Sequence, residues 1–359
     1  MTPQPTATPT PDPARSGGRW RRIALTLLIG AAAGTLFSLL HSPLPWMIGP
    51  LLCVAAGNML FDLRLGLPMP MRSAGQWAIG TAVGLYFSAD VLRQLVSLWP
   101  WLLLAVLFAL AISGAGGRLL SRLTGVDDAT GFFSIAIGGA VEMTNQAERS
   151  QARVDRVAAA QSLRVMLVVV GLPYLFQLSG AHGSDPYQTA ALAVQPARLA
   201  LMLAATIPAG LLLQWLSVPN AWTLGPLAVI AALCAKGVAL SAMPAELVSA
   251  GQLMLGCAIA GRFSPDFLRS APRFMACVAF TSLCVSLCCA GFAALLAWAI
   301  GLSWPTLILA TAPGGIAEMS LTAKQLQLGV PVVVAFQLLR LIALVLLAGP
   351  VYRWWSARG

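Results

Sequence analysis

Long apolar runs, separated by short stretches rich in Arg, Pro or Gly, set the pattern of this chain. A helix crosses the hydrocarbon of a bilayer with roughly 20 apolar residues. Runs near that length predict spanning helices at 23–40, 44–61, 74–89, 97–117 and 157–178, then at 199–216, 220–237, 250–263, 274–299 and 331–353. Two more apolar segments, 129–147 and 305–323, are each interrupted by a glycine pair and contain a glutamate. The pattern therefore predicts an all-α polytopic membrane protein with about ten transmembrane helices and two Gly-broken or re-entrant segments.

The pattern also repeats. Gly138-Gly139-Ala140-Val141-Glu142-Met143 recurs as Gly314-Gly315-Ile316-Ala317-Glu318-Met319, an offset of 318 − 142 = 176. The same offset carries Trp46, Gly49 and Pro50 onto Trp222, Gly225 and Pro226. It carries Ser73-Ala74-Gly75-Gln76 onto Ser249-Ala250-Gly251-Gln252, and Gln161 and Arg164 onto Gln337 and Arg340. No gap is needed, so the chain is a tandem duplication. It divides into a tail with an Arg cluster (1–22, the first fourteen residues Pro- and Thr-rich and aperiodic, as in disordered segments), a first membrane repeat (23–179), a connector (180–198) and a second membrane repeat (199–355). Duplicated apolar units with paired ionisable residues are a recurring plan of membrane transporters.

Composition changes the picture in two ways. Only 9% of the 359 residues are charged, against 58% hydrophobic, whereas soluble domains carry roughly 25% charged residues. Lipid must face most of the molecule. The net charge of +10 comes from basic residues scattered singly between apolar runs, which sets membrane orientation rather than nucleic-acid binding. If each broken segment returns to the side it came from, the repeats have inverted topology. Sixteen of the 22 Lys and Arg side chains then share the face of the N-terminal tail, and four (Arg93, Arg198, Lys236 and Lys324) share the other. If the segments cross fully, the split is ten against ten. The positive-inside rule favours the inverted arrangement, with the tail cytoplasmic. The seven cysteines lie in apolar stretches with no C-x-x-C and no neighbouring His, the pattern of small core hydrophobes.

Glu142 and Glu318 are the foremost candidates for chemistry. Ionisable groups inside a membrane are costly and usually functional, and a carboxyl that moves between dry and wet surroundings can load and release a proton. Gly138, Gly139, Gly314 and Gly315 break the helices beside them, and broken helices in lipid tend to line a protected site. Arg164 and Arg340 each follow their glutamate by 22 positions (164 − 142 and 340 − 318). They either pair with the carboxylates, holding helices together, or bind an anionic substrate. Gln161 and Gln337 share a helical face with those arginines and serve equally well as interhelical hydrogen-bond donors. Asn145 adds polarity to the first motif. Gln76 and Gln252 are secondary candidates, on helices whose glycines read first as packing devices. Arg149, Arg153 and Arg156 read as a solvated helix end rather than a ligand site.

The two-copy layout, W-x-x-G-P and G-G-x-x-E-M together resemble the AbrB family of membrane proteins of Gram-negative bacteria, distinct from the DNA-binding regulator of the same name. The resemblance covers nearly the whole chain after the tail. It implies a multi-pass protein of the cytoplasmic (inner) membrane, and it brings two labels, regulator of gene expression and ammonia monooxygenase. The residues speak against the second, because only His41 and His182 are present and a copper or iron oxygenase needs several such ligands. A DNA-binding role needs a soluble reading module, and only a short tail and loops are soluble. The expected function is secondary transport or permeation of a small solute, with no metal, cofactor or nucleic acid. The lipid bilayer is the expected partner, and a homo-oligomer is left open. An indirect membrane regulator is the alternative.

Overall fold

The computed structural model describes residues 13–181, 183, 193–265 and 271–356. They form fifteen helices and no strand among the described residues. In the first repeat these are α1 (Pro13–Leu39), α2 (Pro45–Phe61), α3 (Met69–Gly84), α4 (Ala89–Ser97), α5 (Trp99–Thr124), α6 (Asp128–Ile135), α7 (Ala140–Arg149) and α8 (Val154–Ser179). The second repeat contains α9 (Pro196–Trp215), α10 (Ala221–Ala235), α11 (Ala245–Ala260), α12 (Pro272–Ile300), α13 (Trp304–Thr311), α14 (Ile316–Gln325) and α15 (Val330–Ser356). Six of them (α1, α5, α8, α9, α12 and α15) are long and apolar enough to span a membrane, and α2, α10 and α11 are shorter apolar helices. The protein is an all-helical multi-pass membrane protein.

The duplication is visible in the helix boundaries. The starts of α2 and α10, α3 and α11, α6 and α13, α7 and α14, and α8 and α15 are all 176 residues apart, as in 221 − 45 and 330 − 154. Most predicted spans coincide with helices. The third does not run to 89: α3 starts at Met69 behind Pro68, with Pro70 in its first turn, and ends at Gly84. Ser88 then caps a separate helix, α4, by accepting a hydrogen bond from the Val91 N–H. Arg72 is thereby inside α3 rather than in a loop. The first helix begins at Pro13, ahead of the apolar run that starts at Ile23. His182, Asp185, Asp266 and Arg269 lie outside the described residues.

The helices sort into two bundles. One is built from α1, α2, α3 and their counterparts α9, α10 and α11; the other from α5–α8 and α12–α15. Close backbone approach holds the first together. A methyl group on Gly75 would lie 2.8 Å from the Gly251 carbonyl, and one on Gly251 3.1 Å from the Gly75 carbonyl, so α3 and α11 cross at a mirrored pair of glycines. W-x-x-G-P has the same use. Trp46 lies over Gly34 while Gly49 touches the Ala33 carbonyl, and Trp222 lies over Gly210 while Gly225 touches the Ala209 carbonyl. Small residues of this kind let membrane helices pack at short range.

In the second bundle the broken segments are helical hairpins. The Arg153 N–H at the start of α8 donates to the Thr130 hydroxyl near the start of α6 (2.8 Å), and α7 ends at Arg149, just before α8. Both ends of hairpin α6–α7 are therefore at the N-terminal end of α8, and its Gly-Gly turn lies deeper along that helix. The second hairpin is tied in the same way: the Gly329 N–H donates to the Thr306 hydroxyl (3.2 Å). The two hairpins open at opposite ends of the bundle. Gln146 in α7 donates to the Val345 carbonyl in the C-terminal half of α15, whereas hairpin α13–α14 opens at the N-terminal end of α15. Conversely, Phe176 near the C-terminal end of α8 contacts Trp304 at the mouth of the second hairpin.

Candidate functional site

At each hairpin tip the chain leaves a helix, and the last carbonyls of that helix lose their partners. Here α8 and α15 supply them. Arg164 donates to the carbonyls of Ile135 (2.9 Å) and Ala136 (2.7 Å) and reaches Gly138 (3.5 Å). Gln161 donates to Phe133 (2.7 Å) and Ala136 (3.1 Å) and accepts from Arg164 (2.7 Å). The second tip is built alike. Arg340 donates to Thr311, Ala312 and Gly314 (3.2, 2.6 and 2.9 Å) and to Gln337, while Gln337 donates to Leu309 and Ala312 (2.8 and 3.2 Å). Arg164 is 2% exposed and Arg340 7%. A guanidinium at a helix C-terminus also meets the negative end of the helix dipole. Neither arginine forms an ion pair with Glu142 or Glu318 among the described residues; of the two expected roles, pairing with the carboxylates gives way to Arg–carbonyl capping.

The second half of each hairpin explains G-G-x-x-E-M. Glu142 and Glu318 are in the first turns of α7 and α14. Their carboxylates fold back so far that a methyl group on Gly139 would lie 1.8 Å from Glu142 Oε2, and one on Gly315 2.1 Å from Glu318 Oε2. The first glycine of each pair makes room for the methionine, since a methyl group on Gly138 would meet Met143 Cε at 2.6 Å and one on Gly314 Met319 Cε at 2.8 Å. Each carboxylate thus sits over a helix N-terminus, where free N–H groups and the dipole favour negative charge.

Both tips face one cavity of about 100 Å³ between the two bundles. It is lined by both glycine pairs, Glu142, Glu318, Arg164, Gln337 and Arg340 from one bundle, and by Arg72, Gln76, Asn220, Thr223 and Arg262 from the other. Gln76 donates to the Asn220 side chain (3.1 Å). A wider vestibule of about 720 Å³ shares Arg72, Ala140, Val141 and Arg262 with this cavity and is further lined by Asn145, Arg153, Asp155 and Arg156. Arg153 pairs with Asp155 at 3.6 Å and Arg156 stacks over Phe274.

A family model described as transition state regulatory protein AbrB matches residues 1–87 and 46–356. The chain belongs to the AbrB family. It is similar to a Bacillus subtilis (strain 168) protein named "Uncharacterized protein YhjN", at 29% identity over 352 residues and 91% of each chain. It is also similar to the Escherichia coli (strain K12) protein named "Putative regulator AbrB", at 26% identity over 333 residues, 91% of this chain and 92% of that one. The AbrB-family duplication is what brings the two tips to one place.

Most residues singled out in the sequence come together at this place. Asn145 does not reach the inner cavity; it is exposed in the vestibule. Gln161 is fully buried behind the first tip, and Gln252 lines neither space. Sequence reasoning passed over Arg72 and Arg262, which it used only to count charge. The signal that marks them is a break in the duplication: the offset of 176 puts Val248 opposite Arg72 and Tyr86 opposite Arg262.

Proposed function

We propose that this AbrB-family protein is a secondary transporter or permease of a small solute in the cytoplasmic membrane, with Glu142 and Glu318 as its proton- or substrate-linked carboxylates. One observation carries the reading: two symmetry-related carboxylates share a small polar cavity at the interface of two helix bundles, and a vestibule reaches it from one side. An interface is the place where relative motion of two bundles would open and close a site. The repeats, 23–179 and 199–355 with connector 180–198, are of inverted topology in this reading, with the 1–22 tail cytoplasmic. Support comes from the hairpins opening at opposite ends of α8 and α15 and from the charge split of the loops.

The vestibule then faces the cytoplasm, because Arg153 and Arg156 line it. On the opposite face, the counterparts of vestibule residues are packed shut: Ser320 is 0% exposed, Leu321 2% and Val332 1%. A pseudo-symmetric molecule with one face open and the other closed has an obvious second state, in which the two repeats exchange conformations. Arg164, Gln161, Arg340 and Gln337 hold the tips rigid, so the hairpins would move as units.

The test is uptake in proteoliposomes. A panel of solutes is screened first by thermal shift of the purified protein across pH, and hits are then assayed for flux with and without an inward proton gradient. Glu142→Gln and Glu318→Gln are expected to abolish gradient-driven uptake while the unliganded melting temperature stays near that of the wild type. Full uptake in both variants would remove the carboxylates from the mechanism. The name of the Escherichia coli relative favours a second reading, a membrane regulator acting through a partner or a transported solute. It predicts that Glu142→Gln changes expression of a regulated gene but leaves every flux unchanged.

A further inference from the structure

The charges around the inner cavity come in two kinds. Glu142 and Glu318, and Arg164 and Arg340, are duplicated. Arg72 and Arg262 are not, since Val248 and Tyr86 stand at their counterpart positions. These two arginines come from the bundle opposite the hairpin tips, and both line the cavity and the vestibule leading to it. Among the described residues neither makes a hydrogen bond or an ion pair, and Arg72 Nε is buried without a partner. Arg262 acts electrostatically on Glu318 and Glu142, and Arg72 on Glu318, but none of these Arg–Glu pairs lies within ion-pair distance. Two guanidinium groups therefore share the cavity with two helix N-termini. Arg164 Nε and Arg340 Nε, on side chains more than nine-tenths buried that also line the cavity, have no partner either.

We propose that this cavity is the binding site of a small organic carboxylate, clamped by Arg72 and Arg262 and taken up together with a proton on the Glu142–Glu318 pair. The planar fork of a guanidinium matches a carboxylate in two parallel hydrogen bonds. The volume of about 100 Å³ suits a molecule of a few heavy atoms, since one water occupies roughly 30 Å³ of liquid. The lining carries four guanidinium groups, from Arg72, Arg262, Arg164 and Arg340, against two carboxyl groups, from Glu142 and Glu318, so a small carboxylate enters a site rich in positive charge. A proton taken up by a glutamate on binding removes the repulsion between that glutamate and the added anion. The vestibule charges, Arg153 paired with Asp155 and Arg156 over Phe274, add positive potential along the entry path.

The inference rests on the transport reading for passage but not for binding, so the two can fail separately. Purified full-length protein is titrated with acetate, pyruvate and succinate, with their neutral amides and with ethylammonium, between pH 5.5 and 7.5, by calorimetry and thermal shift. At least one carboxylate is expected to bind, its affinity rising about tenfold per pH unit on acidification for one coupled proton. Its amide and ethylammonium should not bind. Arg72→Gln and Arg262→Gln should each weaken binding about tenfold or more; should either fail to fold, Arg72→Lys and Arg262→Lys should weaken it less. The Glu142→Gln/Glu318→Gln double variant should bind with affinity that no longer changes with pH. Binding of the amides or of ethylammonium, binding indifferent to the arginines, or no carboxylate binding at any pH overturns the proposal. Arginine-dependent binding without flux in liposomes would leave the site standing and remove the transport reading instead. Flux of a neutral solute without carboxylate binding would do the reverse.

Discussion

Glu142 and Gly139 function as one unit, and so do Glu318 and Gly315. The carboxylate needs the space where a Cβ would be, which ties a charge to a bare backbone. Gly139→Ala is expected to push Glu142 off its helix N-terminus and suppress gradient-driven uptake at least as strongly as Glu142→Gln, with the fold retained by circular dichroism. Arg164 behaves differently. Arg164→Met strips the buried Ile135 carbonyl of its donor and leaves Ala136 with Gln161 alone, and an unsatisfied buried group costs about 1–3 kcal/mol. A clear fall in the melting temperature in detergent is expected, larger than for Glu142→Gln; an unchanged melting temperature would contradict the capping role. The glutamates and glycines were legible in sequence because their spacing is duplicated. The partner of Arg164 was not, since a bond to a backbone carbonyl leaves no residue type to recognise.

At the scale of the element, local chemistry set most boundaries. Pro68 and Pro70 start α3, and Gly125, at φ +68°, stops α5 in a left-handed turn. What propensity could not specify is which glycine meets which. Gly75 and Gly251 are 176 positions apart in sequence (251 − 75) and meet where α3 crosses α11. Gly75→Val should wedge these helices apart, and because Arg72 is one turn away it should also disturb the cavity. The expected result is a lower melting temperature together with weaker solute binding, whereas Gly171→Ala, in open space on α8, should change neither. The hairpins show the same limit. A break at Gly138-Gly139 is plain in the sequence, but that both ends of the hairpin meet at the start of α8 shows only in long-range contacts such as that of Thr130 with Arg153.

Over the whole molecule, the proposed exchange of repeat conformations predicts a labelling pattern. In a variant lacking the seven native cysteines, Asn145→Cys should react with a thiol reagent from the vestibule side, and Ser320→Cys should be protected in the state described here. During turnover with solute and a proton gradient, Ser320→Cys should become reactive from the opposite face while Asn145→Cys becomes less so. Constant protection of Ser320→Cys through the cycle would argue for a static molecule. The asymmetry that motivates this is partly chemical: one face carries Arg72, Arg153, Arg156 and Arg262, and its counterparts are Val248, Gly329, Val332 and Tyr86.

The sequence alone determined the solvent, the helices and the duplication. Each of these follows from hydropathy over a run of neighbours or from identity at a fixed offset, so no long-range contact is needed to see them. Tertiary structure decided at which ends of the bundle the hairpins open, that Arg164 and Arg340 cap helix ends rather than pair with glutamates, and that Arg72 and Arg262 line the shared cavity. Those features depend on where residues distant in the chain meet in space. A pattern of apolar and polar positions constrains burial but carries no information about which buried groups face one another.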